Sequence, residues 1–556
     1  MSFLDQIFAR LEASADQTLL TEMREPDPIP VTGRELLDMI SQARAFLSSR
    51  GLRSGDRVAL LAPNGIRWIA MDLAIMAEGL IVVPLYSRQA PSELVAMMKD
   101  CSPALICFGD VALRDGILQS WSQAPAQALF EEIFGGDSAR ELKPRAGAPA
   151  PHNHADSDLV AIIYTSGTSG EAKGVMITAG NVGHILQCTS ERFNVLMNHR
   201  PGQDCVYQWA PLNFAAAWIT TLTGLLRGSS TFMNTDLARL AKEIREVQPD
   251  YFVNVPALLE RVRRAVDEQI WKTGGIVRTI YTNAKSAYMR KHESKVSLAD
   301  SVWLATANKL VFPTIRKKMI GSNIKALICG SAPLNLETQL YFMMLGIPVL
   351  QVYGLTETTA ICTMDDPRNY EPGRVGIAAQ GVEMKLGDNN EILVRGPNIF
   401  PGYWNRPDET AKVLREGWFY TGDQGEVNAV GNWKISGRIK NLIILNSGHN
   451  VAPEPIEDEL LNLLPNAQHV VLVGNGRSYL SAIVTGSVNA DQVQAAMDAV
   501  NPALPHYKQV RAFRVSAESF TPESGLLTAN GKLKRDAITQ RFNAEIEEMY
   551  AVKQAV

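Results

Sequence analysis

Residues 164–174 read YTSGTSGEAKG. Three Ser/Thr hydroxyls (Ser166, Thr168, Ser169), two glycines (Gly167, Gly170) and one lysine (Lys173) are packed together, and Gly174 follows. Backbone N–H groups of such a turn can form an anion-binding nest, to which a lysine adds a point charge. The spacing is not that of the common nucleotide loop, where glycine and lysine are adjacent, because Glu171 and Ala172 intervene. Taken alone, the stretch reads first as an anion-binding loop, the plain alternative being a flexible surface turn.

Other segments carry complementary chemistry. QVYGLTETT (351–359) sets an aromatic, a hydroxyl and a carboxylate at Tyr353, Thr356 and Glu357. These types can stack on a purine, donate to a phosphate and ligate Mg²⁺ through hard oxygen. GWFYTGDQGEV (417–427) places Asp423 after a Thr-Gly turn, where its carboxylate could accept from two ribose hydroxyls. KISGRIKNLIILNSGHNVAPEPIE (434–457) contains Arg438, a candidate phosphate partner, and LLTANGKLKRDAI (526–538) presents Lys532 just after Asn530-Gly531. Each has a plain alternative: Asp423 could cap a helix, Arg438 could pair on the surface, and Lys532, Lys534 and Arg535 could be solvated charges on one turn.

The elements that must position these groups are α/β in pattern. DRVALLAP, GLIVVPLY, ALICFG, LVAIIYTS, DYFVNVP, IKALICGS and PVLQVYG are short apolar runs that alternate with helical patterns such as APSELVAMMKDC and LARLAKEIREV. Continuously apolar strands between helices predict parallel strands buried on both faces. Ligands of such sheets sit beyond the strand C-termini, which is where 164–174 and 351–359 fall. The N-terminal MSFLDQIFARLEASADQ predicts a short amphipathic helix and lacks the basic head and apolar centre of a signal peptide. A Pro- and Ala-rich stretch, 140–158, predicts a linker. Its His152 and His154 could bind a metal, but two histidines in a polar loop read first as solvated side chains.

With 556 residues, more than one domain is expected. The composition, 46% hydrophobic and 20% charged, is that of a soluble globular protein, and a net charge of −4 offers no basic field for nucleic acid. No apolar run reaches the roughly 18 residues of a membrane span. The six cysteines (101, 107, 188, 205, 329, 362) include no C-x-x-C pair, so they offer neither a cysteine zinc site nor a disulfide framework, which suits a cytoplasmic protein.

In this order, the five motifs resemble the adenylate-forming superfamily: acyl-CoA synthetases, aryl-CoA ligases, luciferases and peptide-synthetase adenylation domains. The resemblance runs from about residue 30 to 540. VPALLERV (255–262), LICGSAPL (327–334), NVAPEPIE (450–457) and the long insert between 265 and 322 are most like the long-chain fatty-acyl-CoA synthetases. It implies a large N-terminal domain of parallel-rich sheets with helices (1–439), which binds AMP and the acyl substrate. It also implies a small, mobile α+β C-terminal lid (440–556), hinged at Lys440.

It further implies residue roles. Thr165, Ser166, Gly167, Thr168, Ser169, Gly170 and Lys173 would hold the β- and γ-phosphates of ATP. Gly330, Ser331, Ala332 and Pro333 would wall the adenine, and Tyr353 with Gly354 would form its stacking side. Thr356 would touch the α-phosphate, Glu357 would hold Mg²⁺, and Asp423 would bind the ribose with Arg438 nearby. Lys532 would bridge carboxylate and α-phosphate during adenylation. The lid would then rotate, and the turn around Gly448 would line a tunnel for coenzyme A. The implied reaction turns a medium- or long-chain fatty acid, ATP and CoA into acyl-CoA, AMP and pyrophosphate. The alternatives are a fatty-acyl-AMP ligase that loads a carrier protein, and a ligase for aryl or other acids.

One stretch departs from the superfamily. WAPLNFAAAW (209–218) has Asn213-Phe214 where many relatives carry a histidine beside the acyl entrance, which predicts a more apolar gate with Trp209, Phe214 and Trp218 as pocket candidates. The insert holds ten Lys/Arg within 271–322 against Glu293 and Asp300. This suggests peripheral contact with an anionic membrane at its inner face, the alternative being a solvated basic helical insert.

Overall fold

A computed structural model describes residues 2–135, 150–166, 172–200, 202, 204–292, 297–521, 524–528 and 531–551. The apolar runs form two large sheets. One runs Ala126–Leu129, Leu105–Phe108, Arg57–Leu61, Ile81–Leu85, Leu159–Ser166, Ala172–Thr178. Its neighbours are parallel except the last two strands, which pair as an antiparallel hairpin. The second sheet has nine strands. Its parallel centre includes Tyr251–Asn254, Ala326–Cys329 and Val349–Tyr353, and antiparallel strands close both edges.

Strands such as Ala326–Cys329 are buried along their whole length, which is why they read as continuous apolar runs rather than alternating ones. The main core joins the sheets: Val58, Val82 and Val160 of the first share one cluster with Leu19, Met233 and Tyr353 of the second. Within it the helix Ile66–Ala77 is buried at every position but Arg67, as expected of a helix that is apolar all round. Trp218 belongs to this core. It is fully buried and donates through Nε1 to Asp72 Oδ2 (2.9 Å), so the expectation that it lines a pocket is corrected.

A five-stranded sheet follows, in which Trp418–Val427 pairs antiparallel with Trp433–Arg438. Beyond residue 440 a separate three-stranded sheet, Ala467–Val473, Leu480–Gly486 and Val510–Ser516, carries its own cores. Val470, Leu472, Ala482 and Val484 face the helices Glu454–Leu463 and Ala490–Val500, while Val471, Val473 and Ile483 face the C-terminal helices. This two-residue alternation is the strand period itself.

The architecture is α/β. No helix among the described residues is long and apolar enough to cross a membrane. The described six cysteines are free thiols, five of them buried. His154 corrects the reading of a solvated histidine pair: it is buried at 7% exposure, against the C-terminal end of the helix Ile66–Ala77.

Candidate active site

Two adjacent parallel strands, Ala326–Cys329 and Val349–Tyr353, end side by side. Beyond the first, a Cβ on Gly330 would lie 2.7 Å from Val352 Cγ2 and 3.1 Å from the Val352 carbonyl oxygen, so the close approach of the two strand ends requires glycine there. Ser331 follows in the left-handed region (φ 72°), and Ser331, Ala332 and Pro333 form an exposed shelf.

Beyond the second strand the turn is tighter. A Cβ on Gly354 would lie 2.2 Å from the Ala360 carbonyl oxygen. Thr359 (φ 50°) and Ala360 (φ 80°) adopt left-handed conformations, each at a cost of about 1–3 kcal/mol. The turn is held by Ala360 N–H donating to Leu355 O (2.9 Å), Cys362 N–H to Tyr353 O (2.7 Å) and Thr359 Oγ1 to Asn398 O (2.9 Å). Thr356 and Glu357 are thereby presented half-buried on a short 3₁₀ turn.

Glu357 is fixed twice: its carbonyl accepts from Phe400 N–H (2.9 Å), and its Oε1 accepts from the Tyr403 hydroxyl (2.8 Å). Burial, reinforced by the Glu357 charge, pushes the Tyr403 phenol up, so it remains a donor. Asp423 is placed by strand register. It lies directly across from Arg438, and its Oδ1 accepts from Arg438 Nε at 2.7 Å. Its Oδ2 accepts from the Tyr353 hydroxyl at 2.8 Å. Asp423 is therefore a strand residue, not a helix cap, and Arg438 is its partner rather than a surface ion pair. Tyr353 is buried, its phenol pushed well up by burial and then by the Asp423 charge.

Lys173 sits on the return strand of the hairpin, opposite Thr165. Its ammonium pairs with Glu409 and lies 5.2 Å from the Tyr403 ring centroid. Hydrogen bonds from Lys173 and then Lys412 hold the Glu409 carboxyl down to about 2. Gly167, Thr168, Ser169 and Gly170 lie outside the described residues, as does the side chain of Ser166. Tyr403 and Glu409 were not foreseen. They lie in PGYWNRPDET (401–410), which reads as a plain turn and carries no signal for this role.

Lys440 and Lys532 complete the cluster. Burial, then the charges of Arg438 and Lys173, lower Lys440, while Asp423 and Glu357 act the other way. Lys532 has the same neighbourhood: burial, then Arg438, lower its pKa, and Asp423 and Glu357 oppose. Lys532, on the C-terminal unit, retains exposed surface and lies within electrostatic range of these groups. The turn bearing it is held by Gly531 N–H to Thr528 O and Thr528 N–H to Lys532 O, both 2.8 Å.

Gly448 stands apart, on an exposed hairpin (φ 81°) whose His449 stacks on Tyr507 at 4.2 Å. Arg535 is not a solvated charge, because it donates from Nη1 to buried Glu457 Oε1 (2.7 Å). The arrangement is an electrostatic basin: Arg438, Lys440 and Lys532 lie in the field of Glu357 and Asp423, while Lys173 pairs with Glu409, a set suited to an anionic ligand with a hydroxyl-bearing portion.

The fold is that of adenylate-forming enzymes. Residues 9–404 match the AMP-binding enzyme family, and residues 440–554 match the AMP-binding enzyme C-terminal domain. The chain belongs to the AMP-binding enzyme family. It is similar to the long-chain-fatty-acid–CoA ligase FadD15 of Mycobacterium bovis, at 27% identity over 560 residues that cover 94% of this chain and 92% of that protein. The structure of a Mycobacterium tuberculosis fatty acyl CoA synthetase shares the fold, with TM-score 0.66 and 20% identity over 98% and 99% of the two chains. So does the adenylation domain of a carboxylate reductase from Mycobacterium chelonae, with TM-score 0.78 and 22% identity over 99% and 91%.

Proposed function

We propose that this protein activates a medium- or long-chain fatty acid with ATP and transfers the acyl group to CoA. The observation that carries the reading is the pair of fixed carboxylates, Asp423 held by Arg438 and Tyr353 and Glu357 held by Tyr403, with Lys532 of the C-terminal unit within electrostatic range. Two anions, a carboxylate and a triphosphate, must meet for the first step. A cation about 4 Å away supplies roughly 4 kcal/mol of attraction at an effective dielectric of 20, and charge aimed at the transition state is the main protein contribution to phosphoryl transfer.

The fatty-acid carboxylate attacks the α-phosphorus, the bond to the β-phosphate oxygen breaks, and pyrophosphate leaves. Lys532 and Thr356 stabilise the charge on the α-phosphate, while Lys173, released from Glu409, holds the departing phosphates. Glu357, aimed by Tyr403, is the hard-oxygen ligand that fits Mg²⁺, which would neutralise phosphate charge when bound. In the second step the CoA thiolate attacks the acyl carbonyl and AMP leaves. We propose a hinge at Lys440 between residues 1–439 and 440–556, about which the lid carries Lys532 away and brings the Gly448 turn to the entering thiol. Among the pocket candidates, half-buried Phe214 lies 5.8 Å from the Tyr86 ring, and half-buried Trp209 donates to Val253 O at 2.8 Å. Both suit an aliphatic acid.

Pyrophosphate release measured across C2–C18 and aryl acids, with and without CoA, tests this. Acids from C8 to C18 should show the highest kcat/KM, with thioester formed only when CoA is present. Higher kcat/KM for short or aryl acids would overturn the substrate assignment. Adenylate that accumulates without passing to CoA would instead favour the carrier-loading alternative.

The insert supports a peripheral membrane role. Its helices expose Trp271, Ile276, Leu298 (91% exposed), Val302 and Leu310 beside exposed Lys272, Arg278, Lys291, Lys309, Lys317 and Lys318. Arg278 lies over the Trp271 ring at 5.1 Å. Asp300, one of the two acids counted in the insert, is buried and paired with Arg290. Apolar side chains rimmed by cations are the pattern of an interfacial segment. The protein should sediment with vesicles that contain anionic lipid, less so as salt rises, and Trp271→Ser with Leu298→Ser should weaken the binding. Binding that ignores lipid charge and salt would count against a membrane role.

A further inference from the structure

The segment 151–158 crosses the C-terminal end of the helix Ile66–Ala77, where carbonyl groups lack helical partners. His152 N–H donates to Ala77 O (2.8 Å), and His154 Nε2 lies 2.7 Å from Met76 O. Because a carbonyl can only accept, that contact fixes the His154 proton on Nε2 and leaves a lone pair on Nδ1. This Nδ1 is buried and has no hydrogen-bond partner. Such an atom costs free energy unless something fills its lone pair.

The neighbours of this ring are informative. The His152 ring stands edge-on to the His154 ring at 4.7 Å, and ligand atoms of His152, His154 and Asp158 all lie within 4.8 Å of one another. The approach of His152 depends on Gly79 (φ 71°), where a Cβ would lie 2.9 Å from the ring. Asp158 spends Oδ2 on the Ala155 N–H (2.8 Å), which orients the carboxylate and leaves its other oxygen for a further bond.

We infer that His152, His154 and Asp158 form a binding site for a divalent transition-metal cation, Zn²⁺ by ligand type, which staples the 150–158 segment to the end of the helix Ile66–Ala77. Two imidazoles and one carboxylate are a borderline donor set that suits zinc and disfavours Mg²⁺ and Ca²⁺. A ring nitrogen directed at the metal while the other donates to a carbonyl is the usual outer-sphere arrangement of a zinc histidine. Metal–ligand bonds of about 2.0–2.2 Å in a tetrahedron bring ligand atoms to roughly 3.4 Å, so side-chain rotations that close up to about 1.4 Å from the 4.8 Å bound complete the set, with water in the fourth position. The negative end of the helix dipole adds to the attraction.

The experiment uses the full chain without a histidine tag, freed of metal and titrated with Zn²⁺ by calorimetry, then with Co²⁺ by visible absorption. One Zn²⁺ per chain should bind, Co²⁺ should show the intense d–d bands of tetrahedral coordination, and the melting temperature should rise with free Zn²⁺. His152→Ala, at a half-buried position, should weaken Zn²⁺ binding by more than ~100-fold, since loss of an outer-sphere partner alone costs 10–100-fold. Asp158→Asn keeps the acceptor for Ala155 N–H and should also weaken binding. His506→Ala, at an exposed histidine remote in sequence, should not. If wild type binds no Zn²⁺ saturably, or if His152→Ala and Asp158→Asn bind it as wild type does, the site does not exist.

Discussion

Lys532→Ala slows adenylate formation by about 10²–10³, the scale of losing one transition-state donor. Supplied with preformed acyl-adenylate and CoA, the same variant forms thioester at close to the wild-type rate. The proposed hinge is what separates the two half-reactions: it sets Lys532 near Arg438, Asp423 and Glu357 for the first and would turn another face of the C-terminal unit to the thiol for the second. Lys534→Ala is the proper control. Arg535 is not, because its removal strands buried Glu457 and should destabilise the lid itself. Single-turnover pyrophosphate release and thioester formation from synthetic adenylate are the two measurements. Equal slowing of both, or equal damage from Lys534→Ala, would sink the rotating-lid mechanism.

Asp423→Ala lowers kcat/KM for ATP by about 10², and the loss is specific to the ribose. A carboxylate has about four lone-pair positions. Arg438 Nε and the Tyr353 hydroxyl occupy two, leaving two for the ribose hydroxyls. Hydrogen bonds to a charged group contribute roughly 1.5–3 kcal/mol each. Wild type should therefore discriminate strongly against 2′,3′-dideoxy-ATP, and Asp423→Ala should treat it and ATP nearly alike. Tyr353→Phe, which removes a donor to Asp423 but not the carboxylate, should keep the discrimination. An Asp423→Ala enzyme that still prefers ATP as wild type does would show that the ribose binds elsewhere. Melting temperature checks that the unpaired Arg438 has not unfolded the sheet.

The strands were legible because each carries its own apolar pattern, and the motifs because their residue types are dense and local. What the sequence could not show is pairing between distant segments. Asp423 and Arg438 are both conspicuous, yet only the register of two antiparallel strands sets them opposite one another. The hairpin return 172–178 was hidden in a pattern that reads as parallel strands and helices. Glu409 and Tyr403 gain meaning only where their turn packs against that hairpin. Trp218 is an aromatic beside the presumed gate, but the Asp72 carboxylate draws it into the core. His154 was misjudged for a similar reason: a polar sequence context suggested water, and a helix end 78 residues earlier supplied burial instead.

The surplus of cations in the basin sets a rule for inhibitors. Arg438, Lys440 and Lys532 share two carboxylates, while Lys173 has its own in Glu409, and the charge of Arg438 works against that of Lys440 and Lys532. A compound that copies the acyl-adenylate in shape but replaces its phosphate with an uncharged linker would leave those like charges uncompensated. One that keeps an ionised group at that position relieves the repulsion as it binds. Medicinal chemistry that removes the charge to improve uptake therefore gives up the interaction for which this pocket is built.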